Sequence, residues 1–191
     1  MDALKLYIKN MVSSRCIIAV KEVLEKTGLQ HIEVYLGEVI LRENLSGAQL
    51  GRIRPALLQS GFELLENKKD ILLQQIKTHI VQIVYSSDEP LVKNLSIYLS
   101  DKLGYDYTYM SNLFSARLGT TIEKFYICHK IERVKELLTY GELSLTDIAF
   151  KMHYSSVAHL SSQFKKVTGM TPSGFKQNKD NKRNLLERVC E

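Results

Sequence analysis

Leu145 to Phe175 reads LTDIAFKMHYSSVAHLSSQFKKVTGMTPSGF, and Leu99 to Phe125 reads LSDKLGYDYTYMSNLFSARLGTTIEKF. The two stretches are versions of one pattern. Leu99, Ser100, Leu103, Tyr105 and Asp106 recur 49 residues later as Ile148, Ala149, Met152, Tyr154 and Ser155. Met110, Phe114, Gly119, Thr121 and Phe125 recur 50 residues later as Leu160, Phe164, Gly169, Thr171 and Phe175. The offset grows by one, as it would if the second turn held one more residue. Two copies are too few for a solenoid, so the repeat marks a duplicated supersecondary unit.

Each copy reads as helix, short turn, helix. Leu95, Leu99 and Leu103 lie four apart and share one helical face. Gly104 suits the left-handed residue that closes such a helix. Asp106 is placed to cap the next one, whose inner face is Met110, Leu113, Phe114 and Leu118. In the second copy Ser144-Leu145-Thr146-Asp147 resembles a capping box. Leu145, Ile148, Ala149 and Met152 form its buried stripe. Ser155 is expected to cap the following helix, with Val157, Leu160, Phe164 and Val167 facing inward. Between the copies a third helix starts at Thr120-Thr121-Ile122-Glu123 and stops at Gly141. Ile122, Phe125, Ile131, Val134 and Leu138 keep its period. Its length of roughly 28 Å is comparable to one turn of duplex DNA, about 34 Å. Such a spacer could hold two helices over successive major grooves. A ligand-free helical bundle is the plain alternative.

Charge supports the polyanion. Residues 1–90 hold 11 Lys/Arg and 11 Asp/Glu, whereas residues 91–191 hold 15 and 10, so the net charge of +5 lies in the second half. The 191 residues suffice for one large or two small domains. Apolar runs such as Cys16 to Val20 are too short to span a bilayer, and the N-terminus lacks the order of a signal peptide. Cys16, Cys128 and Cys190 are odd in number and far apart, which predicts reduced thiols and a cytoplasmic protein.

The stretch Asn94 to Gln177 resembles the DNA-binding domain of AraC-type transcription regulators. The matching segments are Tyr109 to Phe114, Lys130 to Leu138, Leu145 to Ala149 and Phe164 to Pro172. The resemblance implies seven helices and binding to two adjacent major grooves of double-stranded DNA. By position, the family's base-reading sites fall on Thr108, Ser111 and Asn112, and on Ala158, His159 and Ser162. All six are expected to point away from the apolar stripes. An Asn112 amide can bond adenine N6 and N7 together, and His159 can donate to a guanine. Arg117, Lys165 and Lys166 read as phosphate contacts. Two features depart from the family. His153 stands where glycine is usual, and the second reading helix carries no Arg at its reading positions. Specificity there would rest on shape or water.

The first half alternates otherwise. Leu4 to Lys9 predicts a strand, Cys16 to Lys26 a helix, and His31 to Leu41 two short strands around Gly37. Leu50, Ile53, Leu57 and Leu58 mark a second helix, which Pro55 is expected to shorten or kink. Phe62 to Glu66 predicts a last strand. The order β-α-β-β-α-β is a ferredoxin-like split pattern. This half resembles a heavy-metal-associated domain, whose Met-x-Cys-x-x-Cys loop corresponds to Met11-Val12-Ser13-Ser14-Arg15-Cys16, and whose late Gly-Tyr pair corresponds to Gly61-Phe62. Ser13 stands in place of the first thiolate. A soft metal needs at least two thiolates, so no metal site is expected, and Cys16 is at most a weak candidate ligand.

The predicted fold class is therefore α+β. A ferredoxin-like domain (1–66) is followed by a connecting helix and linker (67–90), an all-α double helix-turn-helix domain (91–177) and a basic tail (178–191). In the connecting helix Ile71, Leu72, Ile76, Ile80, Ile83 and Val84 recur at helical spacing, and Ser86-Ser87-Asp88-Glu89-Pro90 is the expected boundary. No catalytic set or nucleotide-binding loop is present, so no enzyme and no cofactor are expected. His129 reads as structural. The function predicted is sequence-specific DNA binding in transcription regulation. The alternative is a metal-binding or metal-sensing protein acting through the first domain. That domain is expected to take an effector or protein partner, or to self-associate into a homo-oligomer, and no membrane contact is expected.

Overall fold

The computed structural model describes residues 4–42, 44–85 and 93–177. The chain divides into two compact units, 1–78 and 79–191, with the division inside a helix between Thr78 and His79.

In the first unit, strand β1 (Leu4–Lys9) leads to helix α1 (Ser14–Lys26), strands β2 (His31–Tyr35) and β3 (Glu38–Leu41), helix α2 (Gly47–Gln59) and strand β4 (Glu63–Leu65). The sheet order is β2-β3-β1-β4, and each neighbouring pair is antiparallel. Both connections through a helix therefore skip one strand. Alternation puts Leu6 and Ile8 of β1, Val39 and Leu41 of β3 and Leu64 of β4 on the covered face. Val20, Val23 and Leu24 of α1 and Ile53 and Leu57 of α2 pack onto them. The opposite face carries the ion pairs Lys5–Glu38 and Lys9–Glu63, both at 2.8 Å. Gly37 turns β2 into β3 at φ +76°, and a Cβ there would also meet the Thr78 hydroxyl at 2.9 Å, so only glycine fits. Helix α2 is not shortened at Pro55, which lies inside it. Buried Ile53 and Leu57 flank the proline and hold both halves of the helix to the sheet.

Helix α3 (Lys68–Tyr85) follows. Its Leu72, Ile76, Ile80 and Val84 are buried, as their spacing predicts. The expected boundary at residues 86–90 and the tail at 178–191 lie outside the described residues.

The second unit adds α4 (Leu95–Leu103), α5 (Tyr107–Leu118), α6 (Ile122–Tyr140), α7 (Leu145–Lys151), α8 (Val157–Thr168) and α9 (Pro172–Gln177). Six helices thus lie between Asn94 and Gln177, where seven were expected. The C-terminal part of α3 supplies the seventh, and its Val84 joins the second core. That core is centred on α6, whose Ile131, Val134, Leu137 and Leu138 meet Ile148, Ala149, Met152, Leu160, Phe164 and Phe175. His129 is fully buried beside the Phe125 ring, with centroids 4.5 Å apart, as its structural reading requires. Cys16 is a free thiol. Among the described residues no helix is long and apolar enough to cross a membrane.

Candidate nucleic-acid interface

Helices α5 and α8 are built alike, residue for residue. Each starts at a polar cap: the Asp106 carboxylate accepts from the Tyr109 amide at 3.1 Å, and the Ser156 hydroxyl accepts from the His159 amide at 3.1 Å. Each closes on a left-handed glycine, Gly119 and Gly169. Each buries two side chains one turn apart, Met110 with Phe114 and Leu160 with Phe164. Each is pinned by an edge-to-face phenylalanine pair. Phe114 meets Phe125 at 5.4 Å, and Phe164 meets Phe175 at 5.5 Å. Such pairs add to plain burial.

The outward faces follow from those anchors. Thr108, Asn112 and Arg117 are exposed on α5, as are Ala158, His159, Ser162, Lys165 and Lys166 on α8. Ser111 is half-buried, as is its counterpart Ser161. The position borders the buried Met110 and Phe114. Val167, expected inward, is exposed, since Leu160 and Phe164 already fill the contact. The two faces differ in charge. Lys165 and Lys166 on α8 correspond to Ser115 and Ala116 on α5. One outward residue escaped the sequence reading: Tyr109, exposed beside Thr108. The 50-residue offset applied to His159 would have found it.

The turns differ by one residue. Gly104 and His153 both hold the left-handed conformation, at φ 72° and 54°. From Gly104 the cap Asp106 is two residues on; from His153 the cap Ser156 is three. Ser155 is therefore not the cap but the extra residue, and its hydroxyl lies 3.1 Å from His159 Nδ1. The tyrosines that follow the left-handed residues part ways as well. Tyr105 is outside, 43% exposed and stacked on Tyr109 at 5.8 Å. Tyr154 is inside, 8% exposed, and donates to Gln163 Oε1 at 2.6 Å. The Lys130 ammonium sits 4.0 Å above the Tyr154 ring, and burial pushes it down to about 8. The same burial pushes the Tyr154 phenol up.

Helix α6 carries the two halves. Its cap Thr121 accepts from the Lys124 amide, Gly141 ends it at φ 73°, and its 19 residues span roughly 28 Å. The capping box at Ser144 and Asp147 that opens α7 forms as its sequence predicts.

In the first unit, Ser13 and Cys16 stand together at the start of α1, with Oγ and Sγ 3.5 Å apart. Asn10, left-handed at φ 71°, donates to the Gly61 carbonyl at 3.1 Å, so this loop does lie beside Gly61-Phe62. Among the described residues no three His, Cys, Asp or Glu side chains gather as a metal ion would require.

Residues 99–178 match the helix-turn-helix domain family. Relatives of the chain carry the helix-turn-helix name as well. An uncharacterised helix-turn-helix transcriptional regulator of Staphylococcus aureus is 33% identical over 78 residues, 41% of this chain and 10% of that protein. The uncharacterised regulator YtdP of Bacillus subtilis is 24% identical over 112 residues, 59% of this chain and 14% of that protein. The chain thus spans about a tenth of the length of the curated relatives it matches. A solved transcriptional regulator with an AraC-type DNA-binding domain from Chromobacterium violaceum is 25% identical, with a TM-score of 0.46 over 54% of this chain and 90% of that one.

Proposed function

We propose that this chain is a sequence-specific, AraC-type DNA-binding transcription regulator that grips two successive major grooves, one with α5 and one with α8. The observation that carries this reading is the duplicated build of the two helices. Equivalent anchors hold them, and equivalent positions on each stand outside, though their side chains differ. Helix α6, at roughly 28 Å, is a spacer close to one duplex turn of about 34 Å. The excess charge of the second half supplies attraction to phosphate. Thr108, Ser111, Asn112, Ala158, His159 and Ser162 are the proposed base-reading set, with Tyr109 added. Arg117, Lys165 and Lys166 are the proposed phosphate contacts. A regulator of this kind works in the cytoplasm, needs no cofactor and performs no catalysis.

The first unit is proposed to be a ferredoxin-like domain. Its support is the element order together with the sheet order β2-β3-β1-β4. It serves as the platform for an effector, a protein partner or a second copy. With one thiol beside one hydroxyl in its loop, it lacks the donors for a soft metal ion.

The test is footprinting of the full chain on fragments selected from a random duplex pool. The expected result is two protected segments one helical turn apart on one face. Affinity should fall steeply with salt, in keeping with roughly 6–10 phosphate contacts. A single protected segment, or affinity that ignores salt, would overturn the reading.

A further inference from the structure

We propose that Ser155 is a positioning residue that presents His159 to the second groove as a hydrogen-bond donor. This inference rests on the DNA-binding reading for its consequence, but not for its geometry.

The geometry comes from the extra residue in the second turn. In the first copy the shorter turn leaves Tyr105 outside, stacked on Tyr109. In the second copy Tyr154 is turned into the core and held by Gln163. Its ring still meets the equivalent reading residue, His159, but edge-on, with centroids 5.3 Å apart and planes at 88°. The added Ser155 takes the place outside. Its hydroxyl lies 3.1 Å from His159 Nδ1, while the His159 amide is held by the Ser156 cap. The imidazole is thus fixed on two sides, by the Tyr154 ring and by the Ser155 hydroxyl, and Nε2 is the nitrogen left over.

The bond to Nδ1 decides what Nε2 can do, because in a neutral imidazole one nitrogen donates and the other accepts. With the Ser155 hydroxyl donating to Nδ1, the proton resides on Nε2, which is also the tautomer a free imidazole prefers. With an imidazolium the Ser155 oxygen accepts from Nδ1–H, and Nε2 again donates. In both states Nε2–H faces outward as a donor. The groups in the major groove that match it are the acceptors O6 and N7 of guanine. The first copy lacks this device. Tyr109 stacked on Tyr105 instead offers a flat ring and a phenol. The two heads therefore present different chemistry from one scaffold.

The experiment pairs a binding selection with imidazole nitrogen NMR on the full chain, for wild type, Ser155→Ala, Ser155→Thr and His159→Ala. The expected wild-type spectrum shows His159 with its neutral proton on Nε2, and Ser155→Ala shows a mixture of tautomers. In the selection His159→Ala removes a guanine preference at one position. Ser155→Ala weakens that preference about five-fold, as the loss of one modest hydrogen bond would, without changing preferences read by α5. Ser155→Thr, which keeps the hydroxyl, restores it. Full guanine preference in Ser155→Ala, or a wild-type His159 with its proton on Nδ1, overturns the inference. If wild type shows no sequence preference at all, the DNA-binding reading fails, while the tautomer measurement still decides the role of Ser155.

Discussion

Asn112 and Lys166 stand on the outer faces of helices of one build, and their side chains are suited to different tasks. The Asn112 amide can bond both edge groups of adenine. Asn112→Ala should cost about 1–3 kcal/mol at one operator position and relax the preference there. Lys166, near the end of α8, is the proposed point charge for phosphate. Lys166→Ala should weaken all sequences alike and lower the slope of log affinity against log salt by about one. Salt titrations on selected and scrambled duplexes separate the two. If Asn112→Ala leaves both preference and affinity untouched, α5 faces DNA with another side. Lys130 offers a test without DNA. Its ammonium is buried against Tyr154 and titrates at about 8, whereas an unfolded lysine keeps its proton to about 10.4. Between these values the unfolded chain binds more protons, so stability should rise with pH over roughly pH 8 to 10. Below that window both states are protonated, and the cost of the buried charge is constant. Lys130→Met should flatten this rise, and urea midpoints measured at both ends of the window check it. Equal pH responses in the two proteins would mean that the ammonium is solvated.

At the scale of elements, the two turns invite opposite substitutions. Gly104 is left-handed at φ 72° with open space around it, so Gly104→Ala should cost about 1 kcal/mol through backbone strain alone. His153 holds the same conformation at φ 54° with a side chain attached. His153→Gly relieves that strain and should stabilise by roughly 0.5 kcal/mol after the entropy gained by the unfolded chain. Thermal melts of the two variants should move in opposite directions. Caps and stripes were legible in the residues wherever a single signal was strong, as at Asp106, Thr121, Gly141 and Ser144. The reading slipped where two equivalent residues stood side by side. Ser155 and Ser156 are both good caps, and only the backbone geometry after His153 selects the second. Val167 keeps the helical period, but period alone does not say when Leu160 and Phe164 have filled the available core. The shortening or kink expected at Pro55 rests on its own propensity, which is visible in the sequence, whereas the burial of Ile53 and Leu57 is a property of the folded sheet.

For the whole molecule, two separate cores predict separable stability. Ile53 is fully buried in the first unit. Ile53→Ala should cost about 2–5 kcal/mol there. It should leave salt-dependent DNA affinity unchanged at temperatures where the first unit stays folded. Hydrogen exchange should show protection lost along β1, β3 and α2 but kept along α6. Loss of protection in α6 to the same degree would mean that the units unfold together. Both units could be read in the sequence because strand alternation and helical period differ so plainly. The division within α3 was not visible, since Ile76 and Ile80 continue one stripe across Thr78 and His79 and nothing in the period changes there.

The single extra residue in the second turn has a consequence for the operator. A symmetric dimer reads the same word twice and can be turned end for end without effect. On the proposed function, a single chain with a stacked tyrosine pair at one head and a braced histidine at the other would read two different words in a fixed order. Its site would therefore have a polarity, like an arrow drawn along the duplex. Inverting that site beside a promoter would exchange which head stands nearer the start of transcription, while every base contact stayed the same.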